Sequence, residues 1–308
     1  MLKTFSLEGG RIAECYDGSG SILVYVSPDE HERKYLTGTL MIDEHTLAST
    51  LDPDELARLE CEPEHVAIIY KRPKVHEEAD KFFFRVTSTG LFLFKQKLVV
   101  VLSEDVPLFE GKQFTKLTSL PDILLRLINR STAKYIENLR VINQQTDELE
   151  LKISSSMDNK FLLGLFALEK SLIYYLNAIH SNSMLIEKMK YNATRIGFSP
   201  EGVEFLEDIT IENNQCYKQA EIYSNILASL MDARASIVSN NLNVLMKTLN
   251  IVTIGIMAPT LVVSIFSMNV GLPFQREPHM FWFILGGAVV SVVAFLLIWR
   301  RSQRTRRV

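Results

Sequence analysis

Lys247-Thr-Leu-Asn-Ile-Val-Thr-Ile-Gly-Ile-Met-Ala-Pro-Thr-Leu-Val-Val-Ser-Ile-Phe-Ser-Met-Asn269 is the stretch that decides the fold. No side chain between Lys247 and Arg276 is charged, and Phe281 to Trp299 holds none either. Each stretch can cross the ~30 Å hydrocarbon core as a helix of about 20 residues. Residues 248–272 therefore read as a first transmembrane helix with the start of an outer loop, 273–280 as the rest of that loop, and 281–299 as a second transmembrane helix. The tail 300–308 carries Arg300, Arg301, Arg304, Arg306 and Arg307. Positive-inside bias puts such a tail in the cytoplasm, and two crossings return the chain before residue 248 to the same side. The expectation is a multi-pass protein of the cell (inner) membrane with both termini cytoplasmic. Met1 to Gly20 lacks an apolar core behind a basic start, so no signal peptide is expected.

Composition fits a cytosolic bulk tied to a small membrane part. Cys15, Cys61 and Cys216 are far apart, which suits a reducing compartment and argues against both a disulfide framework and a zinc ribbon. Residues 1–118 hold 20 Asp and Glu against 14 Lys and Arg, an excess of six negative charges. That balance speaks against nucleic acid as a partner and is compatible with divalent cations.

The fold class expected is α+β: a cytoplasmic α/β domain over 1–118, a helical hairpin over 119–200, the cytoplasmic part of a long stalk helix over 201–247, and the two transmembrane helices. In the first part, Ser21 to Ser27 and Val66 to Tyr70 read as strands. Lys81 to Val86, Leu91 to Phe94 and Leu98 to Leu102 read as a meander with Ser88-Thr-Gly90 as a turn. Asp52-Pro53-Asp54-Glu55 has the order of an N-cap, a first-turn proline and an acidic third position, so a helix is expected there. The hairpin opens at Leu120-Pro121-Asp122, repeats apolar residues at three and four (Leu124, Leu127, Ile128, Tyr135, Leu139, Ile142, Leu149), and breaks near Ser154 to Asp158.

From Val203 to Ile254 there is neither glycine nor proline, so one helix should run into the first crossing without a loop. At 1.5 Å per residue, Asp208 to Asn269 would reach about 93 Å. Read in sevens, that helix has a polar seam. One row is Asp208, Gln215, Ile222, Ser229, Ser236, Asn243, Asn250, Met257 and Ser264; the other is Ile211, Lys218, Asn225, Asp232, Ser239, Met246, Thr253, Thr260 and Ser267. A coiled-coil seam is normally apolar. In the cytoplasmic half the plain alternative is a solvated helix face. Inside a bilayer, Asn and repeated Thr and Ser facing lipid would leave polar groups unpaired, so they should face a helix interface or a watery path. With no carboxylate among them, they cannot strip Mg²⁺, which dehydrates reluctantly, but amide and hydroxyl oxygens can accept hydrogen bonds from its waters.

Asn243-Val-Leu-Met-Lys247, Met257-Ala-Pro-Thr-Leu261 and Ile265-Phe-Ser-Met-Asn269 resemble the CorA family of magnesium channels, whose first membrane helix ends in Gly-Met-Asn. The resemblance covers the whole layout. It implies a homopentameric funnel in membrane lipid, with Mg²⁺ as both substrate and regulator and no bound cofactor or enzymatic activity. Asn243, Met246, Leu249, Met257 and Thr260 match pore-facing sites; Asn250, Thr253 and Ser264 join them from the seam. Ser267, Met268 and Asn269 form the selectivity signature, with Ser267 where the family has glycine. Asn269 matches the asparagine ring at the outer mouth. For regulation, Asp208 falls in register with a stalk-helix acid that binds cytoplasmic Mg²⁺ between subunits, with Glu207 and Glu212 beside it; Asp43, Glu44, Asp52 and Asp80 are its possible partners. Asn269-Val-Gly-Leu-Pro273 and Gln275-Arg276-Glu277-Pro-His279 resemble the loop of the zinc-transporting branch instead, so Zn²⁺ transport, with or without proton coupling, is the alternative cargo; Co²⁺ and Ni²⁺ share the same chemistry.

Other chemistry is thin. His31, His45, His65, His76, His180 and His279 show no ligand spacing with Cys or acids, and each reads first as a surface or packing residue. There is no phosphate-binding glycine loop or nucleophile elbow. A membrane-anchored coiled-coil scaffold without transport remains as a reading of another class, as does a hydrolase within the α/β domain; against the scaffold stands the seam, since a plain anchor needs no repeated Asn and Thr.

Overall fold

The computed structural model describes residues 1–15, 20–75, 82–155, 159–268 and 279–305. They form two compact units, Met1–Leu230 and Met231–Val308.

The first unit is a three-layer α/β/α arrangement. Its sheet contains β1 (Leu2–Glu8), β2 (Arg11–Glu14), β3 (Ile22–Val26), β4 (Arg58–Cys61), β5 (His65–Pro73), β6 (Val86–Phe94) and β7 (Leu98–Leu102), in the order β2-β1-β3-β7-β6-β5-β4. All neighbours are antiparallel except β3 and β7, which run parallel in the register Ile22 with Leu98 to Val26 with Leu102. Both are continuous apolar runs because both of their faces are covered. One face, with Ile22, Val24, Ile68, Leu91, Leu98 and Val100, packs on Ile123, Leu124, Leu127 and Ile128 of α3 (Leu120–Ser155) and on Leu185, Ile186 and Met189 of α4 (Asn159–Tyr191). The other face, with Leu23, Tyr25, Phe92, Val99 and Val101, is covered by Leu36 of α1 (Glu30–Gly38) and Leu47 of α2 (Glu44–Ser49). Each such fully buried aliphatic chain contributes about 1.5–3 kcal/mol.

The helix starts follow their caps. Ser119 accepts from the Asp122 N–H at 3.3 Å while the Asp122 carboxylate accepts from the Thr118 N–H at 3.2 Å, which starts α3 as the sequence predicts. Gly197 at φ 85° ends the short α5 (Ala193–Ile196). Ser199 then accepts from the Gly202 N–H at 3.1 Å, and α6 runs from Pro200 to Phe266 without a break, as the absence of glycine and proline up to Ile254 leads one to expect.

Three expectations in the α/β part need correction. No helix begins at Asp52: Asp54 N–H donates to the Asp52 carboxylate at 2.9 Å, closing a local turn. The Pro53 and Glu55 carbonyls, which a helix would use internally, accept instead from the buried Lys71 ammonium at 2.5 and 2.7 Å. Ser88-Thr89-Gly90 is not a turn but the middle of β6, paired with Lys71, Tyr70 and Ile69 of β5. Gly90 is glycine because a Cβ there would run into the Thr50 side chain, so the residue marks a close approach. Residues 82–85 precede β6 rather than forming a strand, and Lys81 lies outside the described residues. The strands β1, β2 and β4 and the helices α1 and α2 were not anticipated.

Beyond the end of β4, the edge of β5 is closed by side chains. Asn182 of α4, buried, accepts from the Lys71 N–H and donates to the Lys71 carbonyl, both at 2.8 Å, taking the place of a neighbouring strand. Ser131 of α3 donates to the same carbonyl at 2.9 Å. An uncharged truncation strands a buried N–H, so Asn182→Ala should lower the stability of the full-length protein by about 1–3 kcal/mol, read as a lower midpoint in thermal or denaturant unfolding; an unchanged midpoint would mean that water replaces the amide.

Candidate functional site

The lower part of α6 belongs to the first unit and buries Leu206, Ile209, Asn213, Cys216, Ala220 and Leu227 at helical spacing. Asn213 donates to the Ile179 carbonyl at 3.2 Å and to Ser183 at 2.7 Å, which ties this face to α4. Burial also pushes the Cys216 thiol up to about 12, so it is an inert packing residue. With about 100° between successive residues, the seam positions Asp208, Ile211, Gln215 and Ile222 lie on the opposite side, and all four are exposed. Asp208 and Glu212 are exposed, and Glu207 sits 4.0 Å from Lys190 in a loose surface pair. These acids do not assemble into a metal cluster: among the described residues no group of three or more His, Cys, Asp or Glu could hold an ion. Of their possible partners, the Asp43 and Asp52 carboxylates are occupied locally, Asp43 by the Thr46 N–H and hydroxyl and Asp52 by the Asp54 N–H. Glu44 is exposed, and Asp80 lies outside the described residues.

In the second unit, the upper part of α6 packs antiparallel on α7 (Met280–Thr305). Gly255 faces Phe295 and Gly287 faces Val262: a Cβ added at each would lie in van der Waals contact, 3.7 and 3.5 Å from the neighbouring side chain. Small residues give this close approach between apolar helices. From Ile251 onward the partly covered residues of α6 are Ile251, Gly255, Ala258, Pro259 and Val262, a single stripe at helical spacing. Asn243, Met246, Leu249, Asn250, Thr253, Met257, Thr260 and Ser264 are all exposed and centre on the side away from that stripe. The seam is thus left uncovered by α7. These helices are long and apolar enough to cross a membrane. The segment Lys160–Tyr191 also meets that measure, but Leu165, Leu168, Leu172, Tyr175 and Ile179 are buried in the core of the first unit, and it reads as a core helix.

The hydroxyls of the seam are less demanding than the sequence suggests. Thr253 donates to the Leu249 carbonyl at 2.9 Å and Thr260 to the Ile256 carbonyl at 2.7 Å, so each O–H is satisfied within its own helix. Their oxygens still present lone pairs outward. The requirement for a polar surrounding therefore falls on Asn243, Asn250 and Ser264, whose side chains find no hydrogen-bond partner among the described residues. Ser267 donates to the Ser264 carbonyl at 3.0 Å and its N–H reaches the same carbonyl at 3.2 Å, a tightened last turn just past the end of α6 at Phe266. Met268 is exposed; Asn269 and the loop to residue 278 lie outside the described residues. The glycines at 255 and 287 escaped the sequence reading, although a lone glycine in one apolar segment and a Gly-Gly pair in the other were a usable signal.

The chain thus combines a mixed-sheet α/β unit and long helices with a pair of helices long and apolar enough to cross a membrane and an uncovered stripe of amides and hydroxyls. The profile of the CorA-like Mg²⁺ transporter protein family matches residues 18–301, and the chain belongs to that family. It is 26% identical over 299 residues to the cobalt/magnesium transport protein CorA of Methanocaldococcus jannaschii, covering 94% of this chain and 89% of the relative. The complete structure of the CorA magnesium transporter from Methanocaldococcus jannaschii superposes with a TM-score of 0.81 at 23% identity, over 98% of this chain and 97% of the other. The ZntB cytoplasmic domain from Vibrio parahaemolyticus shares the fold of the first unit more loosely, with a TM-score of 0.59 at 12% identity, over 77% of this chain and 98% of the other.

Proposed function

We propose that this protein passes hydrated Mg²⁺ through a pore built from α6 helices of a homopentamer in the cell (inner) membrane, with two crossings per chain, both termini cytoplasmic and flux restrained by cytoplasmic Mg²⁺. The observation that carries the reading is the stripe from Asn243 to Ser264, which holds amides, hydroxyls and thioethers and no charge, on the side of α6 that α7 leaves uncovered. Repeated around an axis, Asn243 and Asn250 amides and the Thr253 and Thr260 oxygens would offer hydrogen bonds to the water shell of the ion, so the dehydration that Mg²⁺ resists is not required. The membrane potential supplies the drive, about 4.6 kcal/mol for a dication per 100 mV, and no catalytic group is needed. Family membership and the name of the 26% identical relative support the cargo.

Zn²⁺ is the second reading. It is favoured by the loop, where Asn269-Val-Gly-Leu-Pro273 and Gln275-Arg276-Glu277-Pro-His279 resemble the zinc-transporting branch, and where Ser267 replaces the signature glycine. Uptake by the purified protein in liposomes, comparing Mg²⁺, Zn²⁺, Co²⁺ and Ni²⁺ with and without a pH gradient, separates the cargoes; absence of flux for all four would favour a scaffold.

Cysteines at Asn250, Met257 and Thr260 should react with water-soluble thiol reagents or crosslink between subunits, whereas Leu261→Cys and Val262→Cys should be protected. Equal labelling of the two sets would remove the seam from the pore. At the mouth, Asn269→Ala should abolish block by cobalt hexaammine, a mimic of hydrated Mg²⁺, and Ser267→Gly should strengthen it; wild-type block in Asn269→Ala would place selection elsewhere. Asp208→Ala removes a carboxylate that can hold a dication between subunits in the closed state, so inhibition by internal Mg²⁺ should shift to higher concentration. An unchanged inhibition curve in a normally assembled variant would leave Asp208 as a surface acid.

A further inference from the structure

A cavity of about 670 Å³ opens in the first unit between the end of β5, residues 106–113 and α3. Its size is that of a small-ligand pocket. Four cations line it, Arg72, Lys74, Arg130 and Lys134, against two acids, Glu110 and Glu137, while Arg72 is paired with a third acid, Glu104, at 2.9 Å. The rest of the wall is largely apolar, with Val106, Pro107, Leu108 and Leu127 among its side chains.

The basic groups are held in place by contacts that leave donors over. Arg130 Nη1 donates to the Leu108 and Glu110 carbonyls at 2.8 and 2.6 Å, fixing the guanidinium at the cavity wall. Arg72 is 7% exposed. Its Nε donates to Thr89 at 3.0 Å and its Nη1 to Glu104 at 2.9 Å and to the Pro73 carbonyl at 3.3 Å. Its Nη2 is buried and without a hydrogen-bond partner among the described residues. Leaving a guanidinium N–H unmade in the interior is costly, so Arg72 carries an uncompensated donor in the wall of the cavity it helps line. Lys74 has no ion pair among the described residues, and Lys134 has only the exposed Glu137, 2.9 Å away, which is a weak competitor.

We propose that this cavity binds a phosphate-bearing small molecule, its phosphate between Arg72, Lys74, Arg130 and Lys134 and any organic part against Val106 to Leu108 and Leu127. Arginine forks and lysine point charges together suit phosphate, and the apolar wall suits a phosphate ester. The site lies within the first unit, and the proposal stands whether or not the ion-conduction reading holds.

The test is titration calorimetry on the full-length detergent-solubilised protein, free of divalent metal, with ADP, inorganic phosphate and adenosine as probes. ADP should bind saturably and adenosine should not. Competition by inorganic phosphate at similar concentration would identify the phosphate alone as the recognised group; much weaker competition would identify the ester. Lys74→Gln with Lys134→Gln, both outside the core contacts, should weaken binding by about tenfold or more, and the corresponding double Arg variant should retain it. Failure of both ADP and phosphate to bind, equal binding of adenosine, or an unchanged affinity in the double Gln variant would overturn the proposal.

Discussion

A backbone that enters hydrocarbon must satisfy every N–H and C=O within itself, and α6 is the element on which this protein meets that constraint. Its 67 residues form one continuous helix from Pro200 to Phe266. The same helix serves two environments with two different faces. In the first unit Leu206, Ile209, Cys216 and Ala220 are buried against neighbouring helices. In the second unit Gly255 and Val262 meet α7, and the polar stripe lies on the other side. Pro259, which removes one donor from the ladder, sits among apolar neighbours near the Thr260 hydroxyl that donates to Ile256.

The polar stripe has a chemistry of its own. Threonine hydroxyls that donate to the preceding turn remain acceptors on their outer side, and asparagine amides bring both a donor and an acceptor. A surface of that kind suits water and hydrated ions and does not strip them, because it carries no carboxylate. The chain's membership of the CorA-like Mg²⁺ transporter family spans this helix pair, and the fold of the complete CorA structure superposes over it.

The first unit is organised around a different problem, which is to cover both faces and the exposed edge of a mixed sheet. Helices α3 and α4 cover one face and α1 and α2 the other, while Asn182 and Ser131 satisfy the peptide of Lys71 past the end of β4. The Lys71 ammonium, with its pKa pulled down by desolvation against the opposing pull of Asp54, Asp52 and Glu55, is turned inward to the Pro53 and Glu55 carbonyls. That contact shapes the loop that the local Asp-Pro-Asp-Glu pattern would otherwise make a helix.

The long elements were legible because their signals repeat over many residues. Uncharged apolar runs mark α7 and the upper part of α6, the lack of glycine and proline marks the continuity of α6, and spacing at three and four marks α3. The stripe from Asn243 to Ser264 was legible for the same reason, since helical periodicity alone assigns residues to one side. What only the tertiary structure decided are the places where a distant group overrides a short local pattern: pairing with β5 turns an apparent turn at Ser88-Thr89-Gly90 into strand, and Lys71 turns an apparent helix start into a loop. The side of α6 that α7 covers, and the meeting of Arg72 with Arg130 around one cavity, likewise depend on residues far apart in the chain, whose contacts no local periodicity encodes.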